Sequence, residues 1–172
     1  WEEFLESEKA RGTDLSDITH SAWTRRTHYR HRLGFPASTF EEALDALRAF
    51  RGGESRPGLY ASTAVSPAPE VGFVYCGQGA HWAGMGLELM RRDSVFREAV
   101  ERCEEAFRPL IGGSVIEELG RDESRSRLEQ TSVAQSTLFT IQVALTELWR
   151  SWGIRPAAIV GHSAGEIAAS WA

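Results

Sequence analysis

The order of apolar and polar positions gives the chain two textures. Up to about Gly34 the sequence is polar and only weakly periodic. Residues 38–50 then set Phe40, Ala43, Leu44, Leu47 and Phe50 on one face at helical spacing. Ser38 and Glu41 have capping-box spacing at the front of this helix, and Gly52-Gly53 stops it. From Gly52 to Pro69 the composition shifts to Gly, Ser, Pro and Ala, interrupted by a strand-like piece, Leu59-Tyr60-Ala61-Ser62-Thr63. That stretch predicts a boundary between two domains, 1–69 and 70–172.

Beyond the boundary, Val71-Gly72-Phe73-Val74-Tyr75 is a short apolar run suited to a strand buried on both faces. Cys76-Gly77-Gln78-Gly79 breaks it, and a helix is predicted from near Trp82. Asp93 or Ser94 caps a further helix through about Phe107, with Val95, Phe96, Ala99, Val100, Cys103 and Phe107 as its apolar side. Residues 112–130 are polar and predict no element. A long helix from about Ala134 to Trp152 directs Leu138, Ile141, Leu145, Leu148, Trp149 and Trp152 toward a core, and Gly153 and Pro156 end it. Ala157-Ala158-Ile159-Val160 is a second strand of the buried type. Gly161-His162-Ser163-Ala164-Gly165 then turns into a helix starting around Glu166. Strands alternating with helices predict an α/β fold with a parallel sheet.

Composition narrows the class. A chain of 172 residues holds one domain, or a small domain and part of another. Its 42% hydrophobic and 25% charged residues are those of a globular protein, and no window approaches the roughly 18 apolar residues of a membrane span. The start, Trp1-Glu2-Glu3-Phe4-Leu5, lacks a Met and any signal-peptide pattern, and reads as a cut from a longer polypeptide. A net charge of −5 argues against nucleic acid as a partner. The single basic run, Arg25 to Arg32, then reads as a solvated helix end or an intramolecular docking strip. Cys76 and Cys103 are too few for a disulfide framework and form no metal-ligand pattern with the five histidines. Free thiols, a cytoplasmic location and no bound metal are expected.

The strongest chemical signal is Gly161-His162-Ser163-Ala164-Gly165. The pattern G-x-S-x-G alone is cheap, but here an apolar strand precedes it and a small-residue helix, Ile167-Ala168-Ala169, follows. That is the context of a nucleophile elbow: a tight strand-to-helix turn that projects the serine hydroxyl beyond the sheet. The amide of Ala164 would lie at a helix N-terminus, where unpaired N–H groups hold a developing oxyanion. The other reading is a glycine-rich packing turn. The second signal, Gly77-Gln78-Gly79, follows the first strand. It reads as a loop that brings a backbone N–H to the same oxyanion, as an ordinary strand-to-helix turn, or as a weak phosphate loop. No Gly-Lys-Ser/Thr follows, so a Walker loop is excluded.

Three landmarks, in order, carry a resemblance. They are Gly77-Gln78-Gly79-Ala80 with Trp82 and Gly84-Met85-Gly86; Ala134-Gln135 ahead of a long helix; and Gly161-His162-Ser163-Ala164-Gly165-Glu166. From Val71 to Ala172 the chain resembles the N-terminal portion of the malonyl-type acyltransferase family, which moves acyl units from coenzyme A to acyl carrier proteins. The resemblance implies Ser163 as nucleophile, the backbone amides of Gln78 and Ala164 as oxyanion hole, and Gln135 and His162 lining the pocket. His81 stands where the family has glutamine and joins them as a substrate-binding candidate. Leu15-Ser16-Asp17-Ile18, the run Arg25 to Arg32 and the capped helix resemble the linker between ketosynthase and acyltransferase in type I polyketide synthases.

The fold so implied is a truncated parallel-sheet, hydrolase-like acyltransferase core preceded by a small α+β linker domain. The implied partners are acyl-CoA, an acyl carrier protein and an adjacent ketosynthase, in a parent that dimerises. No cofactor is expected to be bound, since phosphopantetheine arrives on the carrier and CoA on the donor. The family's general-base histidine and its carboxylate-pairing arginine lie beyond the matched segment, so these 172 residues alone are expected to be inactive. In the family the residue after the serine varies with the extender unit, and Ala164 matches neither the common malonyl nor the common methylmalonyl pattern. Two other readings share the residues. One is an esterase or thioesterase of α/β-hydrolase type, and the other is a non-catalytic docking fragment.

Overall fold

The computed structural model describes residues 1–65 and 69–172, so Ser66, Pro67 and Ala68 of the predicted boundary stretch lie outside the described residues. The chain divides into two compact units, Trp1–Pro69 and Glu70–Ala172.

The first unit holds helices α1 (Glu2–Glu6), α2 (Glu8–Arg11), α3 (Leu15–Arg25) and α4 (Phe40–Arg51), with strands β1 (His31–Gly34) and β2 (Tyr60–Thr63). The strands pair antiparallel, His31 opposite Thr63 and Gly34 opposite Tyr60. Leu5, Ala10, Ile18, Ala43 and Leu44 form the core, with Phe35, Phe40 and Leu47 packed against it. The three N-terminal helices escape the sequence reading because each buries so little: Leu5, Ala10 and Ile18 are their only buried residues. The capped helix is shifted by one residue from the expectation. Thr39, not Ser38, is its N-cap, accepting from the Glu42 amide at 3.1 Å. Glu42, not Glu41, reaches back, and its carboxylate accepts from the Ser38 amide at 2.7 Å. Phe50, expected on the buried face, is exposed, and Ala46 and Ala49 are buried instead. The basic run straddles the end of α3, a connector and β1, with Arg25, Arg26, Arg30 and Arg32 all exposed.

The second unit is β3 (Gly72–Tyr75), α5 (Leu87–Arg92), α6 (Ser94–Ile111), α7 (Val115–Leu119), α8 (Thr131–Ser151), β4 (Ala158–Gly161) and α9 (Gly165–Trp171). β3 and β4 are parallel neighbours, Gly72 opposite Ala158 and Tyr75 opposite Gly161. The core lies where α6 and α8 pack, around Phe96, Val100, Val115, Leu119, Ile141, Ala144 and Leu148. Met85, from the Gly84-Met85-Gly86 landmark, is buried in it. Asp93 caps α6, accepting from the Phe96 amide at 3.0 Å. Burial pushes the Cys103 thiol up, against a hydrogen bond with Thr140 and the charge of Arg102, which makes it an inert core group.

Three expectations for this unit are corrected. The strands are not buried on both faces: Tyr75 is buried but Val74 is 79% exposed, and Ile159 and Val160 are also exposed. Among the described residues the sheet has two strands, and Val74 and Val160, opposite each other on one face, are both exposed. No helix starts near Trp82, because 82–86 form turns and α5 begins at Leu87. Trp149 and Trp152 do not enter the core. The last turn of α8 runs past Leu148, and the two indoles meet edge to face at 5.2 Å on the surface. The end of α8 is closed by paired bonds, Gly153 N–H to the Arg150 carbonyl (2.9 Å) and Ile154 N–H to the Trp149 carbonyl (3.0 Å).

The polar stretch 112–130, which carries no predicted element, is organised around two carboxylates. Glu104 of α6 accepts from the amides of Val115 (2.7 Å) and Ile116 (3.2 Å), and Ser114 Oγ accepts from that of Glu117 (3.0 Å). The first turn of α7 is thereby capped from a neighbouring helix. Glu104→Ala would leave two amide donors unsatisfied in a buried place. We expect it to cost about 2 kcal/mol in urea unfolding, with wild-type stability as the contrary result.

Glu118, fully buried, accepts from the Arg127 amide (2.5 Å), Arg127 Nε (3.1 Å) and Ser126 Oγ (3.1 Å), and pairs with Arg121 at 3.1 Å. Burial pushes its carboxyl up. The Arg127 amide and guanidinium, the Ser126 hydroxyl and the Arg121 charge outweigh that and hold it below the ordinary value. A depressed folded pKa stabilises fully above the unfolded value and is lost as pH falls through the folded one. Glu118→Gln is therefore expected to destabilise at pH 7 and to flatten the acid limb below about pH 4.3. Urea midpoints from pH 7 to pH 3 check this, and parallel profiles for the two proteins would contradict it.

Candidate active site

Because β3 and β4 are parallel, the turns after Tyr75 and Gly161 leave the sheet at the same edge, where open α/β sheets place their ligands. The second turn has the geometry of an elbow. Ser163 has φ +54°, and it is the only non-glycine residue with positive φ among those described. Strain of this kind costs on the order of 1–3 kcal/mol and persists where surroundings impose it. The Gly165 N–H donates to the His162 carbonyl and the Glu166 N–H to the Ser163 carbonyl, both at 2.9 Å. The Ser163 side chain is exposed.

The flanking glycines are set by close approach. A Cβ on Gly161 would stand 2.8 Å from the Glu166 amide nitrogen. One on Gly165 would stand 2.6 Å from the Cys76 carbonyl oxygen and overlap that of Tyr75. Strand and helix therefore cross in backbone contact, and the elbow is clamped to the end of β3. The His162 N–H completes the clamp, donating to the Tyr75 carbonyl at 3.0 Å.

The first turn lies against the second. A methyl added at Gly77 would come within 3.0 Å of Ser163 Cβ and of the His162 carbonyl, and 3.2 Å from His162 Nδ1. The Gln78-bearing loop and Ser163 are thus brought together. Among the described residues, the amides of Gln78 and Ala164 have no protein acceptor. Two amides without a protein acceptor, one in each turn, thus stand at the sheet edge that carries the exposed Ser163.

The remaining candidates stand differently. His162 packs its ring over Gly77 rather than on its own neighbour's hydroxyl, and no described hydrogen bond joins it to Ser163. His81 turns back on its own loop, where Nδ1 accepts from the Gly79 amide at 3.3 Å. Gln135 is exposed near the start of α8. Its helix runs opposite to β3, since Thr146 meets Tyr75 and, one turn earlier, Gln142 meets Cys76. Gln135, two turns before Gln142, therefore sits on the same face, toward the sheet edge that carries the elbow. The sequence gives Cys76, a free and exposed thiol, no role at the site, and does not single out Gln142. The signal that could have found Gln142 is a polar residue amid Ile141, Val143 and Ala144 in the most apolar stretch of the helix. Among the described residues no group of three metal-binding side chains occurs, and no helix is long and apolar enough to cross a membrane.

Comparison with known proteins gives the family. The family model described as acyl transferase domain matches residues 72–172, more than half of the chain. The spectinabilin polyketide synthase system protein NorC of Streptomyces orinoci is 39% identical over 155 residues, 90% of this chain and 7% of that protein. Erythronolide synthase EryA2 of Saccharopolyspora erythraea is 38% identical over 162 residues, 91% of this chain and 4% of that protein. Among solved structures, the acyltransferase domain from module 8 of the salinomycin polyketide synthase superposes with a TM-score of 0.80 at 33% identity, covering 98% of this chain and 40% of that one. The chain thus spans a small part of these synthases and under half of their acyltransferase domains. By its family match, its structural neighbours and its polyketide synthase relatives, the chain belongs to the acyl transferase domain family of polyketide synthases.

Proposed function

We propose that Ser163 is the acyl-accepting nucleophile of an acyltransferase that carries an extender unit, malonyl or a substituted malonyl, from CoA to an acyl carrier protein. The observation that carries this reading is the pairing of an exposed serine at φ +54° with two free amides, Gln78 and Ala164, at one sheet edge. In the first half-reaction Ser163 Oγ attacks the thioester carbonyl. A C–O bond forms, the C–S bond breaks, and CoA leaves as the thiol with the serine proton. In the second, the pantetheine thiol of the carrier attacks the acyl-serine. A C–S bond forms, C–O breaks, and the proton returns to Ser163. The two amides stabilise the oxyanion in both.

His162, Gln135 and His81 are pocket-wall candidates in this reading. The general base and the carboxylate-binding arginine come from the part of the domain that this chain does not span. The exposed face of β3 and β4, where Val74 and Val160 lie opposite each other, is the seam for that part. CoA and phosphopantetheine enter as substrates, and no cofactor or metal is required. The first unit acts as the linker from a ketosynthase through which the parent dimerises, a role supported by structural matches that extend over 98% of the chain. Initial rates of a complete domain carrying this chain, with malonyl-CoA and carrier protein varied, test the scheme. Parallel double-reciprocal lines with transfer exceeding hydrolysis are expected. Intersecting lines would remove the acyl-serine, and dominant hydrolysis would favour an esterase.

A further inference from the structure

Gln142 is a buried polar side chain that the site above leaves without a role. Burying an amide is costly unless it is hydrogen-bonded, and leucine would fill the same space between Ile141 and Val143. The amide does hold something: Nε2 donates to the Cys76 carbonyl at 2.7 Å and lies 3.5 Å from Cys76 Sγ, across 66 positions of sequence. One turn later Thr146 Oγ1 lies 2.7 Å from the Tyr75 hydroxyl and 2.7 Å from the Gln142 carbonyl. The carbonyl only accepts, so Thr146 spends its single proton there and the Tyr75 hydroxyl donates to Thr146. Helix α8 therefore grips the end of β3 at two successive residues.

The gripped atoms matter for the loop that follows. Successive carbonyls at the end of β3 have separate partners: Tyr75 accepts from the elbow through the His162 N–H, and Cys76 accepts from Gln142. The Cys76 carbonyl and the Gly77 N–H share one planar peptide unit. Fixing that plane leaves only the dihedrals of Gly77 between it and the Gln78 N–H, and Gly77 is itself buried against His162 and Ser163.

We infer that Gln142 is a positioning residue that aims the Gln78 amide by holding the Cys76 carbonyl. The inference rests on the reading of Gln78 as a donor to the oxyanion formed at Ser163. The amide would then affect the transition state more than the bound substrate, so its misalignment falls on kcat and not on KM.

The test uses a complete acyltransferase domain and two variants. Gln142→Leu removes the donor at similar volume. Thr146→Val removes the bond to Tyr75 on the same helix but leaves Cys76 held. Acylation is followed in single turnover with malonyl-CoA, and the acyl-serine carbonyl is read by isotope-edited infrared difference spectroscopy. For Gln142→Leu we expect kcat for acylation to fall about 10- to 100-fold, KM to stay within about two-fold, and the carbonyl band to move to higher frequency. Thr146→Val is expected to keep its rate within about three-fold and its band in place, whatever its melting temperature. If Gln142→Leu does not fold, the unbranched Gln142→Met takes its place under the same criteria. An unchanged rate and band, a loss through KM alone, or an equal loss in Thr146→Val would overturn the inference. A domain with no acyl-serine even before substitution would instead overturn the reading of Ser163 beneath it.

Discussion

Replacing Gly165 with alanine is expected to abolish acyl transfer and to destabilise the domain by about 3 kcal/mol in urea unfolding. The reason is backbone contact. A methyl group at this position would lie 2.6 Å from the Cys76 carbonyl oxygen and inside the Tyr75 carbonyl, and neither neighbour is a side chain that can swing away. The helix must therefore lift from β3. Lifting it breaks the His162 N–H bond to Tyr75 and separates Ser163 from the loop bearing Gln78. Gly34 is the control. It has open space around its Cβ position and no positive φ, so Gly34→Ala should stay within about 0.5 kcal/mol of wild type and retain full activity. Wild-type stability and activity in Gly165→Ala would show that the close crossing of α9 and β3 is not required.

Ser163→Ala is expected to act on chemistry and not on folding. The side chain is exposed and makes no described hydrogen bond, so its loss removes no packing and no partner. Alanine must still adopt φ +54°, which costs on the order of 1 kcal/mol more than a relaxed turn and which serine already bears. Melting should therefore be close to wild type. Transfer should fall by about a thousand-fold or more, since the two amides alone cannot supply the covalent intermediate. A folded Ser163→Ala protein that transfers at more than about a tenth of the wild-type rate would place the chemistry elsewhere.

Much of this was legible in the sequence because the elements that shape the site are local. The strand, the five-residue elbow and the following helix occupy 158–171 and need only short-range rules, as does the turn after β3. The long helix was legible from its period and from Gly153, though it starts three residues before the expected position. The boundary near Pro69 was visible as a change of composition, and the chain divides between Pro69 and Glu70. What escaped depends on distant partners. Helix α7 is five residues long and is held by Glu104 from α6 and by the Glu118 cluster, neither of which leaves a periodic trace. Strand burial failed for a related reason. An apolar run states that a strand suits two covers, while Val74 and Val160 are left exposed together on one face of the sheet among the described residues. Gln142 escaped because one amide in an apolar helix gains its meaning only from the carbonyl 66 positions away.

Tandem mass spectrometry of a complete domain quenched after brief exposure to malonyl-CoA tests the central claim most directly. The account predicts an added acyl mass on the peptide containing Gly161-His162-Ser163-Ala164-Gly165, localised to Ser163 and discharged on addition of the carrier protein. An adduct on Cys76 or another residue, or none on a folded domain that still transfers, would contradict it.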